Sequence, residues 1–178
     1  MSKQNTYPSF SEWTWKSFSN PNKTIDVEKF LEVNYERGRI FHVGTDSQVY
    51  GEKTHFVTAL IAHIQTGGGE IAIHKYKDKM PYPALRQRLL MEAMRTLEVA
   101  WYLDSILPED GKIRLHVDVN NELKFKSGRY KEELVGMIMG QGYLSYKDIS
   151  SKKIDEYPRV VFWKPDSWAA TTVADRQT

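Results

Sequence analysis

The order of apolar patterns predicts an α/β fold: a five-stranded mixed sheet, built from an antiparallel meander plus two parallel strands, flanked by helices and preceded by an N-terminal helical extension. Three observations carry this reading. Between Ile40 and Lys77 three β-rich runs follow one another through short turns, the mark of a meander. A long amphipathic pattern then covers Ala84 to Asp104. Two further β-rich runs, near Lys112 to Val119 and Arg159 to Trp163, are each reached through a helical pattern. Strands joined through helices are normally parallel, with right-handed crossovers, and the helices cover the faces of the sheet.

Residues 1–24 read as an irregular arm whose Phe10, Trp13, Trp15 and Phe18 dock onto the domain. Thr24 is placed to cap a helix beginning near Asp26, with Val27, Phe30, Leu31 and Tyr35 on one face and Gly38 at its end. Residues 1–38 thus form an aromatic arm and helix packed on a main domain of residues 39–178. Ile40 to Val49 is the first strand, and Tyr50-Gly51-Glu52-Lys53 its turn. His55 to Gln65 (HFVTALIAHIQ) is a nearly continuous run of β-formers. Gly67-Gly68-Gly69 turns the chain into a third strand, Glu70 to Lys77. That triplet is a hairpin and not a phosphate loop, since no Lys-Ser/Thr follows it and no helix opens there. Pro81 and Pro83 introduce the long helix, and Pro108-Glu109-Asp110-Gly111 breaks it. In KIRLHVDV, Ile113, Leu115, Val117 and Val119 alternate onto one face. Ser127 is placed to cap a helix running through Leu134, Val135 and Ile138 to Gly140 and Gly142. Pro165-Asp166-Ser167 opens a last helix from Trp168.

The chain has 178 residues, a single-domain length, with 25 Lys+Arg against 23 Asp+Glu. Cysteine is absent, which removes disulfides, thiolate metal sites and cysteine nucleophiles. No apolar run approaches the roughly 20 residues of a membrane span, and the first ten residues lack the basic-then-apolar order of a signal peptide. A cytoplasmic protein is the expectation. A formal charge of +2 argues neither for nor against nucleic acid, so that case rests on a site.

The long helix holds the first anomaly. Leu85, Leu89, Glu92, Thr96, Val99 and Leu103 recur at steps of four and three, flanked by Ala93 and Ala100, and so form the buried stripe. An ionised Glu92 in that stripe needs a cation, a proton or a cleft. An ion pair with a core-facing Arg or Lys is the competing account. Asp46 lies in a strand, where aspartate is disfavoured; a strand end or turn cap would explain it without function. Asp118 shares its face with Lys112, Arg114 and His116, which reads equally well as a solvated strand face. Asp175 stands near the C-terminus of the last helix, against the helix dipole, where fraying is the simple account. Four acids drawn to one sheet edge would repel unless divalent cations neutralised them, and oxygen-only ligands suit Mg²⁺ or Mn²⁺. Two such ions about 4 Å apart hold a phosphodiester and activate water.

Four local words, GTDSQ at 44–48, THFVTA at 54–59, HVDVN at 116–120 and KPDSWAATTVADRQT at 164–178, carry a resemblance. From about Ile40 to the C-terminus the chain resembles the YkuK-type family of small bacterial proteins within the ribonuclease H-like superfamily. That resemblance implies a ribonuclease H-like fold and a two-metal nuclease site. In it, Asp46 is the first-strand ligand bridging both ions, Glu92 the helix acid, Asp118 the fourth-strand acid and Asp175 the acid of the final helix. Ser47, Gln48, Asn120 and Lys124 flank the acids as candidate substrate contacts. Two departures turn the expectation away from RNA–DNA hybrids: no histidine follows His116 to act as the helper of typical ribonucleases H, and no compact basic helix is present.

The remaining features are expected to be structural. His42, His55, His63, His74 and His116 occur singly along strands, as packed or surface histidines. Ser47 lacks the Gly-x-Ser-x-Gly setting of a hydrolase elbow. Arg86, Arg88 and Arg95 read as the outer, solvated side of the long helix, which together with Lys124, Lys126 and Arg129 would also follow a phosphate backbone. Trp13 and Trp15 suit core docking better than base stacking, and the arm suits a homodimer contact as well as a domain cover. The leading expectation is a Mg²⁺- or Mn²⁺-dependent nuclease, with nucleic acid as partner and no membrane. The alternative is a non-catalytic nucleic-acid- or protein-binding module on the same fold.

Overall fold

The computed structural model describes residues 9–64, 66–82, 84–120, 126–164 and 173–174. Its strands are β1 (Trp15–Ser17), β2 (Thr24–Ile25), β3 (Ile40–Tyr50), β4 (Lys53–His63), β5 (Gly69–Asp78), β6 (Ile113–Asn120), β7 (Leu144–Ser145) and β8 (Arg159–Lys164). Among the described residues the α-helices are α1 (Val27–Glu36), α2 (Leu85–Ile106) and α3 (Lys131–Met139). All eight strands join one mixed sheet in the spatial order β2-β1-β5-β4-β3-β6-β8-β7.

The expected five strands form its centre. β3, β4 and β5 make the antiparallel meander, in register from Ile40↔His63 to Tyr50↔Lys53 and from His63↔Gly69 to Thr54↔Asp78. β6 lies parallel to β3, and β8 parallel to β6. At the β4–β5 hairpin Gly69 has a φ of +155°, and a Cβ there would sit 2.1 Å from the Ala62 carbonyl oxygen, so only glycine closes this turn.

Among the described residues the strand count of five is corrected to eight, because three short strands extend the edges. The N-terminal extension is not simply helical: β1 pairs with β5 and with β2 before α1 begins. Strands of two or three residues carry too few side chains to show a period. Asp26, not Thr24, caps α1, accepting a hydrogen bond from the Lys29 amide at 3.2 Å, while Thr24 is spent in β2. Ser127 does not open the next helix: Lys126–Tyr130 is a 3-10 turn, and Tyr130 is the N-cap of α3. The expected last helix lies outside the described residues except for Val173 and Ala174, which are helical.

The main core lies between the sheet and α2. Phe41, Val43, Leu115 and Val117 from the strands meet Leu89, Val99, Ala100 and Leu103 of the predicted helix stripe. Trp13 and Trp15 belong to this core. A smaller cluster on the opposite face gathers Val57, Ala59, Ile61 and Ile73 under Ala174, with Phe18 packed against it.

Two charged faces differ from expectation. Arg114 and His116 are each 2% exposed, so the Asp118 face of β6 is not solvated. β6 is a central strand, paired on both sides and covered on both faces. Nor do the arginines of α2 all face water. Arg95 is fully buried, with its guanidinium carbon 4.4 Å from the centre of the Trp13 ring and 4.8 Å from that of Tyr76. Stacking on rings is a mode of burial open to a guanidinium because it is flat and weakly hydrated. Arg88 is half-buried, and Arg86 reaches across to Glu133 on α3.

A candidate carboxylate metal site

The β3–β6 ladder positions the acids. It runs from Phe41↔Ile113 to Gly44↔His116 and stops there. Asp46 and Asp118 each lie two residues beyond the last pair, and alternation of side chains places both on the face of His42 and His116. The β6–β8 ladder also breaks at this level. Val117 pairs with Trp163 and Asn120 with Lys164, which leaves Asp118 and Val119 as two extra residues in β6. A bulge of this kind re-aims side chains and is common beside active sites.

Glu92 reaches the same point from the other face. α2 packs on the side of Thr45 and Ser47: Thr96, one turn beyond Glu92, donates from Oγ1 to Thr45 Oγ1 at 3.0 Å. Thr45 Oγ1 is in turn 2.9 Å from Thr58 Oγ1. Ser47 Oγ donates to Glu92 Oε1 at 2.5 Å. Because the ladder has ended, no paired backbone closes the space between β3 and β6 here. One carboxylate oxygen from each of Asp46, Glu92 and Asp118 therefore lies within 4.8 Å of the other two. Asp46 and Glu92 are buried, and Asp118 is half-buried.

The electrostatics follow from this geometry. Burial, and then the Asp46 carboxylate, hold the Glu92 carboxyl well above the usual range; Asp118 adds to the rise, while the Ser47 hydrogen bond and the Arg88 charge oppose it. Arg88 lies one helical turn before Glu92 on the same side of α2. Lys164, at the end of β8, sits with Nζ 2.5 Å from Asp118 Oδ1. Below the acids, His42 Nδ1 and His116 Nε2 are 2.8 Å apart. Burial, reinforced by nearby positive groups, pushes His42 down to about 2 and His116 down to about 3, so this floor is neutral. Three close acids, oxygen donors only, and a buried carboxyl raised by its neighbours fit a hard divalent cation such as Mg²⁺ or Mn²⁺.

The other expected site residues fall differently. Ser47 is buried and holds Glu92, while Gln48 points to solvent. Lys124, Asp175 and the side chain of Asn120 lie outside the described residues. Ala174, next to Asp175, is fully buried in the cluster that holds Val57, and Val57 is the ladder partner of Asp46. Lys164 was not singled out from the sequence, and Arg88, expected on the outer, solvated side of the helix, is half-buried with its charge acting on Glu92. Position was the available signal: Arg88 is four residues before Glu92, and Lys164 ends the strand beside that of Asp118.

Comparison with known proteins gives two findings. The family described as Ribonuclease H-like matches residues 24–151, a span that holds all three clustered acids. The chain is also similar to the protein named Uncharacterized protein YkuK of Bacillus subtilis (strain 168), with 26% identity over 169 residues, covering 85% of this chain and 86% of that one.

Proposed function

Because the chain belongs to the ribonuclease H-like family, in its YkuK type, we propose that it is a metal-dependent nuclease hydrolysing phosphodiester bonds of nucleic acid. The observation that carries this reading is the meeting of Asp46, Glu92 and Asp118 within 4.8 Å. These three would hold Mg²⁺ or Mn²⁺, with Asp46 as the shared ligand and Asp175 as a fourth acid. When bound, a pair of such ions would supply an activated water and neutralise negative charge on the phosphate oxygens.

The chain's own residues do the positioning. Ser47 fixes one oxygen of Glu92 and favours its ionised form. Arg88 adds a positive charge behind the same carboxylate. Lys164 is half-exposed at the rim, where its ammonium can leave Asp118 for a phosphate oxygen. The neutral His42–His116 pair, on the same sheet face as Asp46 and Asp118, adds no charge beside them. Nucleic acid is the proposed partner and the cytoplasm the proposed location. No helix among the described residues is long and apolar enough to cross a membrane.

One observation favours the second reading, a binding module that does not cut. Lys164 already neutralises Asp118, as a lysine does where an acid cluster is kept for structure. A time course on end-labelled single-stranded RNA, single-stranded DNA, both duplexes, the hybrid and a branched junction separates the two. Each substrate is incubated with Mg²⁺, Mn²⁺ or chelator, using the parent protein and Asp46→Asn. Metal-dependent cutting that disappears in the variant is the expected result. Intact substrates with metal-independent binding, unaltered by Asp46→Asn, would establish the binding module instead.

A further inference from the structure

A cavity of about 390 Å³ lies between the end of β5 and α2, on the face of the sheet where Ser47 meets Glu92. Its walls are Tyr76, Asp78 and Tyr82 on one side and Met91, Met94 and Glu98 on the other. Met91, Met94 and Glu98 are spaced three and four apart on α2, and Met91 directly precedes Glu92. The sheet gives the same proximity. Ser47, which holds Glu92, pairs with Phe56, and Phe56 pairs with Tyr76. Two strand spacings separate Ser47 from Tyr76, about 10 Å. A stacked strand covers that distance in about three nucleotides at its ~3.4 Å rise, and an extended one in fewer.

The lining is built rather than incidental. Tyr82 holds a φ of +37°, a strained value for a residue with a side chain. Two contacts fix it there: its hydroxyl donates to Asp78 Oδ2 at 2.9 Å, and its ring stands edge-on to Phe56 at 5.9 Å. Asp78 is 3% exposed, and its other oxygen accepts from the Met80 amide at 3.0 Å. Tyr76 is backed by the buried Arg95 guanidinium. The result is a rigid aromatic wall facing two adaptable thioethers, with Glu98 left as the acceptor at the rim.

We infer that this cavity is a nucleobase subsite, which takes one unstacked base of the strand held at the acids and selects bases bearing an exocyclic amino group through Glu98. The inference rests on the nuclease reading and deepens it. A flat base matches the aromatic and thioether walls, as in other stacking platforms for single strands. A phosphate does not match, because Asp78 and Glu98 repel it. An exocyclic amino group donates to a carboxylate, as cytosine does to Glu or Asp. A base enters such a cavity only when it is unpaired, so the substrate is single-stranded or splayed at this point.

The test measures binding apart from cutting. Asp46→Asn protein is titrated, with Mg²⁺ present, into fluorescein-labelled oligo-adenylate, oligo-uridylate and an abasic strand of equal length, read by anisotropy. Adenylate is expected to bind tightest. The abasic strand should bind about 5- to 150-fold more weakly, the range of one stacked base at ~1–3 kcal/mol. Tyr82→Ala and Met94→Ala should bring adenylate towards the abasic level while leaving the abasic strand unchanged. Tyr82→Phe, which keeps the ring, should retain binding, and Glu98→Gln should abolish the preference for adenylate over uridylate. Melting curves establish that each variant is folded. Equal affinity for abasic and base-bearing strands, or rim variants that bind like the parent, would overturn the subsite, as would failure to bind any strand. Cleavage by the parent with base-independent binding removes the subsite and spares the nuclease. Base-dependent binding with no cleavage does the reverse.

Discussion

Replacing Glu92 by Gln should stabilise the protein in the absence of metal, and increasingly so as pH rises. Glu92 is 6% exposed and has carboxylate oxygens of Asp46 and Asp118 within 4.8 Å. Two unit charges about 5 Å apart repel by about 3 kcal/mol at an effective dielectric of about 20. Lys164 cancels much of the Asp118 share, and the Ser47 hydrogen bond returns roughly 1.5–3 kcal/mol to the ionised form. Burial adds to the repulsive side, so the ionised carboxylate is disfavoured on balance, with about 2 kcal/mol as the lower end of that difference. The sign follows from the raised pKa. Below the ordinary value of 4.5 both folded and unfolded chains carry the proton, and Glu92 costs nothing. As pH rises through the folded-state value, the native protein must give up a proton it holds more tightly than the unfolded chain, and stability is lost. Gln imitates the protonated acid and avoids that loss. For a chain of this size about 2 kcal/mol corresponds to about 4–8 °C in Tm. Calorimetric melts of both proteins in chelator, from about pH 5 to about pH 9, should give curves that nearly coincide at the acid end and separate by at least that amount at the alkaline end. Saturating Mg²⁺ should close the gap by stabilising only the parent. A gap independent of pH, or a variant that melts lower than the parent in chelator at pH 8, would refute the reasoning.

Ser47→Ala removes the donor that favours ionised Glu92, so the acid limb of the cleavage pH–rate profile should move up by about one pH unit for each ~1.4 kcal/mol of lost hydrogen bonding. An unmoved limb would mean that Glu92 ionisation does not govern the rate. Trp13→Ala should cost about 3–5 kcal/mol, because it empties a core position and uncovers the buried Arg95. Urea midpoints would register that loss, and an unchanged midpoint would remove the arm from the folded core. Lys164→Gln breaks a pair whose lysine is half-exposed, so stability should change by less than about 1 kcal/mol. The salt dependence of nucleic-acid binding should weaken by about one unit of log–log slope. A slope equal to that of the parent would show that Lys164 touches no phosphate.

The long central elements were legible because their patterns repeat often enough to be unambiguous. β3 and β4 have eleven residues each and α2 has twenty-two, and Gly51 and the 67–69 glycines punctuate them. The short edge strands β1, β2 and β7 exist only because a neighbour offers hydrogen bonds to pair with, and no local pattern records that. Arg95 shows a different failure. It lies three residues after Glu92 and four before Val99, so periodicity places it at the edge of the buried stripe, and its charge argued it off again. What brings it inside is a non-local supply of rings: Trp13 from the arm, Tyr76 from β5 and Phe56 from β4. Four aromatics in the arm implied docking, but not what they would dock around.

For the site, the acids stood out one by one and the resemblance implied their convergence, but the geometry that brings Asp46, Glu92 and Asp118 together left no mark in the sequence. Asp46 and Ser47 are adjacent in a strand and point to opposite faces, yet Ser47 bonds Glu92 and Asp46 lies within 4.8 Å of it. In a continuous ladder the paired backbone would separate Asp46 from an acid on α2. The contact exists because β3 and β6 stop pairing at Gly44 and His116, and because the bulge at Asp118 and Val119 carries β6 past its β8 partner. The bulge leaves no proline or glycine in HVDVN, and Gly44, at the last β3–β6 pair, does not by itself announce a break. The gap in the ladder thus joins the two faces of the sheet at one point. A side chain there is reached from α2 on one side and, through Val57 and Ala174, lies beside the helical residues preceding Asp175 on the other. A register slip of one residue in β3 would place Ser47 in the cluster and turn Asp46 into the α2 core, abolishing the site while keeping every strand. Pairing register is therefore what brings Asp46, Glu92 and Asp118 to one point.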